Sequence, residues 1–450
     1  MPVITTLASL SSKGFSTSST PTVAKWFEAI ALKTTNDGTI SSITSINNTP
    51  YIFGYDGGSG GLLWRPYFAE LNEDTGALVS YKVFADKTGV GQTNTYVRGV
   101  VKDTSNNTHV LFDSFLLVKY DSSGTLVYNK LYTGTSASIG SVLSDLIIDS
   151  SNNLYVFSFN SGNFILTKID STNYTVTWSK VVTMTVNLSN VLNGTKCLYI
   201  DNADNIYVTV FTSSGTISTI IKFDTSGSIL WQKESPNFTT SLSRRLDFDS
   251  DNNIYLLAEG TTATVVKLDS SGTILFTKSV PTATANNFLL TVNSFNNVVI
   301  LASSGVGFFF TCTLDSNGTA LHNTRIGDIL GSANSIAVMD MTSINGGLYV
   351  TCRMAISVGG YPTVNFKLPQ DNKGASYNTP YSFSYVKDNG ATNSFSGTFS
   401  GAALTLPTVT DTGITLNTTS LTTSNFAITV ADSTQTLGST VPFEYFTPLI

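Results

Sequence analysis

A single hairpin sequence recurs along this chain and constrains its fold more than any other feature. Residues 119–130 read KYDSSGTLVYNK, residues 222–233 read KFDTSGSILWQK and residues 267–278 read KLDSSGTILFTK. Four looser copies bring the total to seven, with turn residues Gly76, Gly124, Asn173, Gly227, Gly272, Gly318 and Gly374. Successive turn residues are 45 to 56 positions apart, close to the length of about 40–50 residues that is typical of propeller blades.

A second turn sequence alternates with the hairpin and has the form Asp-x-x-Asn-Asn-(Ile/Leu)-Tyr. Side chains of Asp, Ser and Asn bond to nearby backbone amides, and Gly or Asn adopts the left-handed conformation that closes a tight turn. Clear copies begin at Asp149, Asp201 and Asp249, looser copies begin at Asp103 and Asn293, and degenerate copies end at Tyr51 and Tyr349.

The segments between these turns are short and rich in β-branched and aromatic residues, as strands are. Each repeat holds about four of them, and one such unit cannot bury both of its faces. Seven units around an axis can, so the sequence predicts an all-β, seven-bladed β-propeller over residues 25–375. Trp26 aligns with Trp178 and Trp231, so residues 25–32 are predicted to supply the outer strand of the seventh blade and to close the ring.

Both ends of the chain break the repeat. Residues 1–24 are rich in Ser and Thr and are interpreted as an N-terminal arm or linker that orders against a partner. Residues 376–450 are strand-like and carry few charges, which leaves strand edges poorly protected against pairing. They are predicted to form a small C-terminal β domain that docks on the propeller or mediates oligomerisation.

Composition excludes several classes of protein. Charged residues make up 12% of the chain and hydrophobic residues 41%, with a net charge of −6, so no basic surface for DNA or RNA is expected. Cys197, Cys312 and Cys352 are widely spaced and odd in number, which favours small buried strand residues over disulfides or a zinc site. The sequence shows no secretory signal and no long apolar run, which together with the low charge favours a virion protein made in a host cytoplasm.

The two turn sequences together resemble the repeat of the bacterial seven-bladed propeller family, and they are similar to repeats in virion proteins of marine and cyanobacterial phages. In those virion proteins a strand resembling KWFEAIAL, here residues 25–32, also precedes the first blade. The opening LASLSSKGF, residues 7–15, resembles a short N-terminal sequence of phage structural proteins. The resemblance implies a tail fibre, tail-tip or capsid-surface component, and it carries no catalytic residues.

No catalytic, cofactor or metal residue is predicted. His109 and His322 replace Tyr155 and Trp231 of other copies, which indicates structural roles rather than a catalytic triad. The carboxylates and amides of residues 201–205 and 249–253 could bind calcium, but Asx turns explain them. The repeated lysines are predicted to lie along the blades with their ammonium groups in water, a functional ring of lysines being the alternative.

The sequence assigns no ligand-binding residues and offers two aromatic candidates. Trp64 and Tyr361 are candidates for stacking on sugars, and residues 55–64 form a Gly-rich connection without the Gly-Lys-Ser/Thr of a phosphate loop. The arginines that a carboxylate clamp would use are scattered in sequence, at Arg65, Arg98, Arg244, Arg245, Arg325 and Arg353.

The sequence therefore favours a non-enzymatic phage virion protein that serves host attachment or decoration. Its expected partners are other virion proteins, further copies of itself and a host surface glycan or protein; nucleic acid and membrane insertion are not expected. A bacterial surface or secreted propeller that binds carbohydrate or protein is the alternative, and a glycan depolymerase is the second alternative, because one fold serves many functions.

Overall fold

The computed structural model describes the strands of the chain and many of the turns between them. All structural statements below concern this described part, which comprises residues 26–30, 39–56, 65–74, 78–83, 97–112, 115–134, 142–160, 163–183, 196–211, 218–235, 246–259, 263–280, 287–303, 308–327, 335–344, 347–355, 363–369, 377–386, 392–403, 410–411, 417–418, 423–425 and 428–432. None of these residues forms a helix of the length and hydrophobicity that a membrane span requires.

Strand β1 (Trp26–Ile30) is followed by blades that each consist of four antiparallel strands consecutive in the sequence. The first three of these blades contain β2 (Thr39–Ile46), β3 (Thr49–Asp56), β4 (Arg65–Leu71) and β5 (Leu78–Val83); β6 (Val97–Lys102), β7 (Thr108–Phe112), β8 (Leu116–Tyr120) and β9 (Leu126–Gly134); and β10 (Val142–Ile148), β11 (Asn153–Asn160), β12 (Asn163–Asp170) and β13 (Val176–Thr183).

Three further blades repeat the same pattern. They contain β14 (Leu198–Ile200), β15 (Ile206–Phe211), β16 (Ser218–Phe223) and β17 (Ile229–Ser235); β18 (Leu246–Phe248), β19 (Ile254–Glu259), β20 (Ala263–Leu268) and β21 (Ile274–Val280); and β22 (Asn287–Val292), β23 (Val298–Ser303), β24 (Phe308–Leu314) and β25 (Ala320–Gly327). Six blades are thus continuous in sequence, and they are numbered one to six here.

A further sheet combines the two ends of the repeat region. It contains β26 (Ser335–Ile344), β27 (Gly347–Ala355) and β28 (Thr363–Pro369), and β1 pairs with the outer edge of β28, Ala29 lying opposite Val364. The first two strands of this composite sheet pair up to Ile344 and Gly347. The predicted pairing of residues 25–32 with the last repeat is therefore present in the structure, over residues 26–30.

The first strand of each sheet lies next to the axis of the molecule. First strands of neighbouring sheets contact one another, as β2 does with β6 and β26, β10 with β6 and β14, and β22 with β18 and β26. Apolar side chains between the sheets form the core, for example Phe164 and Phe223 between blades three and four. Sheets that meet at their faces around an axis define an all-β propeller, as the sequence predicts.

Two sets of turns lie on one face of the propeller. Because each blade is a four-stranded meander, the turn between strands one and two (the inner turn) and the turn between strands three and four (the outer turn) lie at the same end of the strands. We call this end the turn face. The remaining connections, within and between blades, leave from the opposite end, which we call the loop face.

The described C-terminal strands extend the outer edges of five blades. Strand β30 (Thr392–Ala403), which forms a hairpin with β29 (Tyr377–Val386), pairs with β25 of blade six. The chain then runs backwards around the ring and adds one short strand to blades five, four, three and two in turn: β31 (Thr410–Asp411), β32 (Asn417–Thr418), β33 (Thr423–Asn425) and β34 (Ile428–Asp432).

The predicted C-terminal β domain at 376–450, expected to dock on the propeller or to mediate oligomerisation, contains the strands β29 to β34. The described strands of that region belong to propeller sheets, because the outer strand of each blade presents unpaired N–H and C=O groups that a charge-poor extended segment can satisfy. The predicted arm at residues 1–24 lies outside the described residues.

We expect a chain that ends at residue 409, and so lacks β31–β34, to remain a folded propeller that self-associates. The blades it leaves are still complete four-stranded sheets, but four outer edges become available for pairing with other chains. Circular dichroism should show a strand spectrum with a cooperative thermal transition, and light scattering should show a larger mass than that of the full chain. An unfolded shortened chain would contradict the account of the tail as an addition to finished blades.

Candidate functional site

In blades two to five the inner turn is closed by an aspartate that accepts several hydrogen bonds. In blade four, Oδ1 of Asp201 accepts the backbone N–H groups of Ala203 and Asn205, both at 2.9 Å. Its Oδ2 accepts Nδ2 of Asn205 and the hydroxyl of Tyr207, also both at 2.9 Å. Burial alone would raise the pKa of Asp201, but these hydrogen bonds together lower it. Asp149 and Asp249 make the same contacts, so these are the Asx turns that the sequence predicts.

The repeated lysines complete these aspartate sites. Lys222 lies opposite Tyr207 on the neighbouring strand, and its Nζ is 3.5 Å from Oδ2 of Asp201 and 5.0 Å from the centre of the Tyr207 ring. Lys222 and Lys267 are each 6% exposed. The prediction that these ammonium groups lie in water is therefore wrong, because the buried carboxylate at the turn requires a cation beside it.

The same lysines also connect each blade to the next. Nζ of Lys222 donates to the carbonyl of Ser270 at 3.1 Å, and Nε1 of Trp231 donates to the same carbonyl at 3.0 Å. Ser270 belongs to the outer turn of blade five. Equivalent bonds join Lys168 and Trp178 to Thr225, Lys267 to Ser316, and Lys367 to Glu73. The repeated Lys and Trp are thus contacts between blades.

The glycines of the outer turns lie beneath the preceding blade. Gly227 has a φ of +80°, and a Cβ built on it would be 3.1 Å from the Trp178 ring and from Cγ of Lys180. Gly is required here both by the left-handed backbone and by the close approach of the neighbouring side chains. Gly76 and Gly374 lie outside the described residues.

The inner turns of successive blades are joined by their left-handed residues. Asn152, Asp204, Asn252 and Asn296 each have a φ between 58° and 65°. The side-chain oxygen of each one accepts a backbone N–H from the inner turn of the preceding blade, at Thr104, Ser150, Asn202 and Ser250. On the turn face, the inner turns of blades two to six are therefore each bonded to the next.

Blade two departs from this pattern at His109. His109 pairs with Lys119 as Tyr155 pairs with Lys168, and it is completely buried. Its Nε2 is 3.2 Å from Oδ2 of Asp103 and its Nδ1 is 2.5 Å from the hydroxyl of Tyr174. The carboxylate can only accept, so Nε2 carries the proton and Nδ1 accepts from Tyr174. This arrangement is structural, as predicted for His109.

Tyr174 also changes the outer turn of blade three. The left-handed residue of that turn is Tyr174, with a φ of 60°, and not the predicted Asn173. The turn is longer than the others, because the N–H of Tyr174 bonds to the carbonyl of Asp170. The side chain of Tyr174 then fills the space beside the short His109 ring, which explains why this copy of the hairpin diverges.

We expect His109→Gln to make the free energy of unfolding less dependent on pH under acidic conditions. Burial, with a smaller effect of Lys119, lowers the pKa of His109 to about 4 against the opposing effect of Asp103. An unfolded histidine titrates near 6.5, so between pH 6.5 and 4 the unfolded chain binds the extra proton and the free energy of unfolding falls as pH falls. Over this range the wild-type protein should lose up to about 3 kcal/mol of its free energy of unfolding through the titration of His109.

Urea unfolding of both proteins at several pH values between 7 and 4 measures this difference. The wild-type protein should lose stability relative to His109→Gln as the pH decreases. An unchanged difference across the range would show that His109 does not titrate as described.

The other candidate residues do not converge on one site. His322 pairs with Thr313 in blade six, in a different blade from His109. Cys197, Cys312 and Cys352 are free and buried, and burial raises the pKa of Cys312 to about 12. Of the six arginines, Arg98 is the one whose side chain belongs to the described part. Residues 57–64, with Trp64, and Tyr361 lie outside it. Among the described residues, no group of three His, Cys, Asp or Glu side chains could hold a metal ion.

A cavity of about 200 Å³ lies beside the axis, between the first strands of blades one to four. Its charged lining side chains are Arg98, Asp145 and Lys196, and Ser42, Thr44 and Ser45 contribute polar groups. Arg98 is 8% exposed, whereas Ser45 is exposed, so the cavity communicates with solvent. The sequence analysis considered Arg98 but did not single out Asp145 or Lys196. The position of Asp145 within the largely apolar strand β10 was the signal that could have identified it.

Asp145 also bonds one first strand to the next. Its Oδ2 accepts the backbone N–H groups of Cys197 and Leu198 in blade four, at 3.3 and 3.2 Å. Asp247 and Asp340 bond to the following first strand in the same way. Burial raises the pKa of Asp145 to about 6, although Lys196 and the backbone N–H groups oppose this effect.

Comparisons of this chain with known proteins find similarity in three-dimensional structure and none in sequence. No protein-family profile and no curated protein sequence matches the chain. It is similar to the Dos1 propeller at 10% identity and a TM-score of 0.49, covering 76% of this chain and 95% of that one. It is similar to YCF48 bound to D1 peptide at 9% identity and a TM-score of 0.43, covering 76% of this chain and 97% of that one. It is also similar to a Bacteroides caccae protein of unknown function at 11% identity and a TM-score of 0.36, covering 61% of this chain and 92% of that one.

Proposed function

We propose that this chain is a non-enzymatic structural component of a phage virion, in which a rigid propeller presents loops for host attachment or decoration. The proposal rests on the contacts that the repeated side chains make. The Asp, Lys, Tyr, Trp and Gly residues of the turn sequences are engaged in closing turns and joining blades. They build a scaffold, and the low charge and the resemblance of both turn sequences to phage virion repeats favour the particle as its location.

The loop face is the surface that we propose for recognition. The inner turns of blades two to six share one form, whereas the intervals between described strands at the loop face range in length from residues 161–162 to residues 84–96. Binding residues commonly lie on variable loops held by a rigid scaffold. The candidate aromatic residues Trp64 and Tyr361 lie outside the described residues; in the sequence, Trp64 stands between β3 and β4, and Tyr361 between β27 and β28.

We also infer that the composite sheet of β26, β27, β28 and β1 is the seventh blade of a closed ring. Support for this comes from its contacts with both neighbours. Oδ2 of Asp340 accepts the N–H of Ile43 at 3.1 Å, Nζ of Lys367 donates to the carbonyl of Glu73 at 3.0 Å, and β26 contacts β22 of blade six. The bond from Lys367 repeats the bond of Lys222 to Ser270, so it is the contact expected between consecutive blades.

Mass spectrometry of purified particles from a lysed culture, together with antibody labelling in negative-stain images, tests the proposed role. We expect the chain in particles, with label at a fixed position on tail or capsid. Recovery of the chain only in cell envelopes or free medium would discard the virion role in favour of a bacterial surface or secreted binder. Cleavage of a host glycan by the purified chain would instead support the depolymerase alternative.

A matched pair of loop variants tests the proposed surface. Replacement of residues 84–96 by a short Gly/Ser connection alters the loop face, and Asp251→Ala alters an exposed turn-face residue. Particles that carry the first change should adsorb to host cells less well, and particles that carry the second should adsorb normally. Normal adsorption with the loop-face change and reduced adsorption with the turn-face change would contradict the assignment of the faces.

A further inference from the structure

A seven-residue sequence repeat runs through the C-terminal tail that follows β30, from residue 405 to residue 439. Its five units read TLPTVTD, TGITLNT, TSLTTSN, FAITVAD and STQTLGS. Every unit has threonine at its fourth position, and four of the five have a hydrophobic residue at the fifth. Every unit ends on a polar residue, and these are Asp411, Thr418, Asn425, Asp432 and Ser439. This period is unrelated to the blade repeat, so it needs an explanation of its own.

The first four units end at equivalent points of four consecutive blades. The last residue of each lies opposite a lysine of an outer strand, the pairs being Asp411 and Lys278, Thr418 and Lys233, Asn425 and Lys180, and Asp432 and Lys130. Each lysine is the sixth residue after the left-handed residue of its outer turn, which is Gly272, Gly227, Tyr174 or Gly124. One unit of the repeat therefore carries the chain from one blade to the preceding blade.

The outer strand of blade one has a lysine at the same point. Lys82 on β5 is the sixth residue after Gly76 in the sequence, and its Nζ donates to the carbonyl of Gly124 in the outer turn of blade two at 2.9 Å. Lys180 lies beside the next outer turn in the same way, since its Cγ is 3.1 Å from a Cβ built on Gly227. Among the described residues, β5 is the last strand of its sheet.

The fifth unit has the length that is needed to reach this edge. Residues 433–439 follow Asp432 directly in the sequence, and they lie outside the described residues. Three steps of seven residues take the tail from blade five to blade two, and blade one is the next blade in that direction. A fourth step of seven residues brings Ser439 to Lys82. The outer edge of a sheet presents unpaired N–H and C=O groups with which such a segment can bond.

We propose that the outer edge of blade one is a docking site for residues 433–439 of the same chain, which pair with β5 so that Ser439 lies opposite Lys82. The tail then pairs with the outer strand of every blade from six to one. The occupant is the same chain and not a second copy, because the fifth unit follows Asp432 without an intervening linker. This contact also keeps β5 from pairing with other chains.

Two cysteine pairs test the docking and its register in the full chain. Lys82→Cys with Ser439→Cys joins positions that the proposal places opposite each other, about 4.5–5.5 Å apart between Cα atoms and within reach of a disulfide. The matched control combines Lys82→Cys with Thr436→Cys, which moves the second cysteine about 10 Å along the strand.

Oxidation of mixed isotope-labelled and unlabelled chains, followed by mass spectrometry, shows which positions are linked and whether they belong to one chain. We expect a link between positions 82 and 439 within one chain and little linkage of positions 82 and 436. Absence of the first link, equal linkage of the two pairs, or a link that forms only between chains would overturn the proposal.

Hydrogen exchange gives a second measurement that needs no cysteine. In a chain that ends at Asp432, the backbone amides of β5 should exchange at least about tenfold faster than in the full chain, because exposed backbone groups open more readily. The amides of β13 should exchange equally in both chains, because β13 pairs with β33 in each. Equal exchange of β5 in the two chains, or an equal acceleration of β5 and β13, would overturn the proposal.

Discussion

Asp201→Ala should lower the free energy of unfolding by about 3–5 kcal/mol, the cost of leaving one member of a buried ion pair without its partner. The side chains of Asp201 and Lys222 are 1% and 7% exposed. Removal of the carboxylate leaves the Lys222 ammonium buried, and it also removes the acceptor of the Tyr207 hydroxyl. Urea unfolding of the wild-type and variant proteins measures the loss.

A double-mutant cycle separates the ion pair from the turn. Lys222→Met alone should cost less than Asp201→Ala, because Asp201 keeps its hydrogen bonds within the turn. Because the two residues are in contact, the double variant should lose about 1–3 kcal/mol less than the sum of the single losses. Asp251→Ala is the matched control, because Asp251 is exposed and blade four has Ala203 at the equivalent position; it should change stability by less than about 0.5 kcal/mol. Additive single losses would contradict the described pairing.

After Asp201→Ala, the substitution Gly227→Ala should cause the second largest loss in the free energy of unfolding. The left-handed backbone at Gly227 costs a residue with a Cβ about 1–2 kcal/mol, and the new Cβ would lie 3.1 Å from the Trp178 ring and from Lys180. Overpacking of this kind typically costs a further 1–3 kcal/mol or so. The ring cannot move away freely, because Nε1 of Trp178 is bonded to the carbonyl of Thr225.

Gly124→Ala is the control for this prediction. Gly124 has a φ of +83°, nearly that of Gly227, but a Cβ there would be 3.5 Å from the nearest atom, Nζ of Lys82, which is an ordinary contact. Gly124→Ala should therefore show the backbone cost alone. Equal shifts of the thermal midpoint for the two variants would mean that packing of one blade on the next does not require glycine.

The repeat made most of the fold predictable from the sequence. The two turn sequences fix where strands begin and end, and their spacing requires several similar sheets. The interpretation of Asp149, Asp201 and Asp249 as Asx turns agrees with their contacts. The environment of Lys222 was not predictable, because its acceptor Ser270 belongs to the next blade. A pattern within one repeat does not show which atoms the neighbouring repeat brings close.

The path of the tail around the blades and the residues of the cavity were not predictable from the sequence, for a related reason. The low charge of residues 376–450 indicated strand pairing, but whether such a segment forms its own sheet or extends existing ones depends on how many outer edges the ring exposes. Arg98, Asp145 and Lys196 belong to three repeats and occupy no shared motif position. Only the packing of blades two, three and four side by side brings them to one cavity.

Closure of the ring by the N-terminal strand is the central structural claim, and a disulfide test measures it most directly. Ala29 and Val364 are directly opposite on β1 and β28, a placement that brings antiparallel partners to about 4.5–5.5 Å between Cα atoms, within reach of a disulfide. A chain with Ala29→Cys, Val364→Cys and Ser80→Cys offers a second choice, because Ser80 lies on the outer strand of blade one. Oxidation followed by mass spectrometry should link positions 29 and 364 within one chain. A link between positions 29 and 80 would place β1 on blade one and contradict the account.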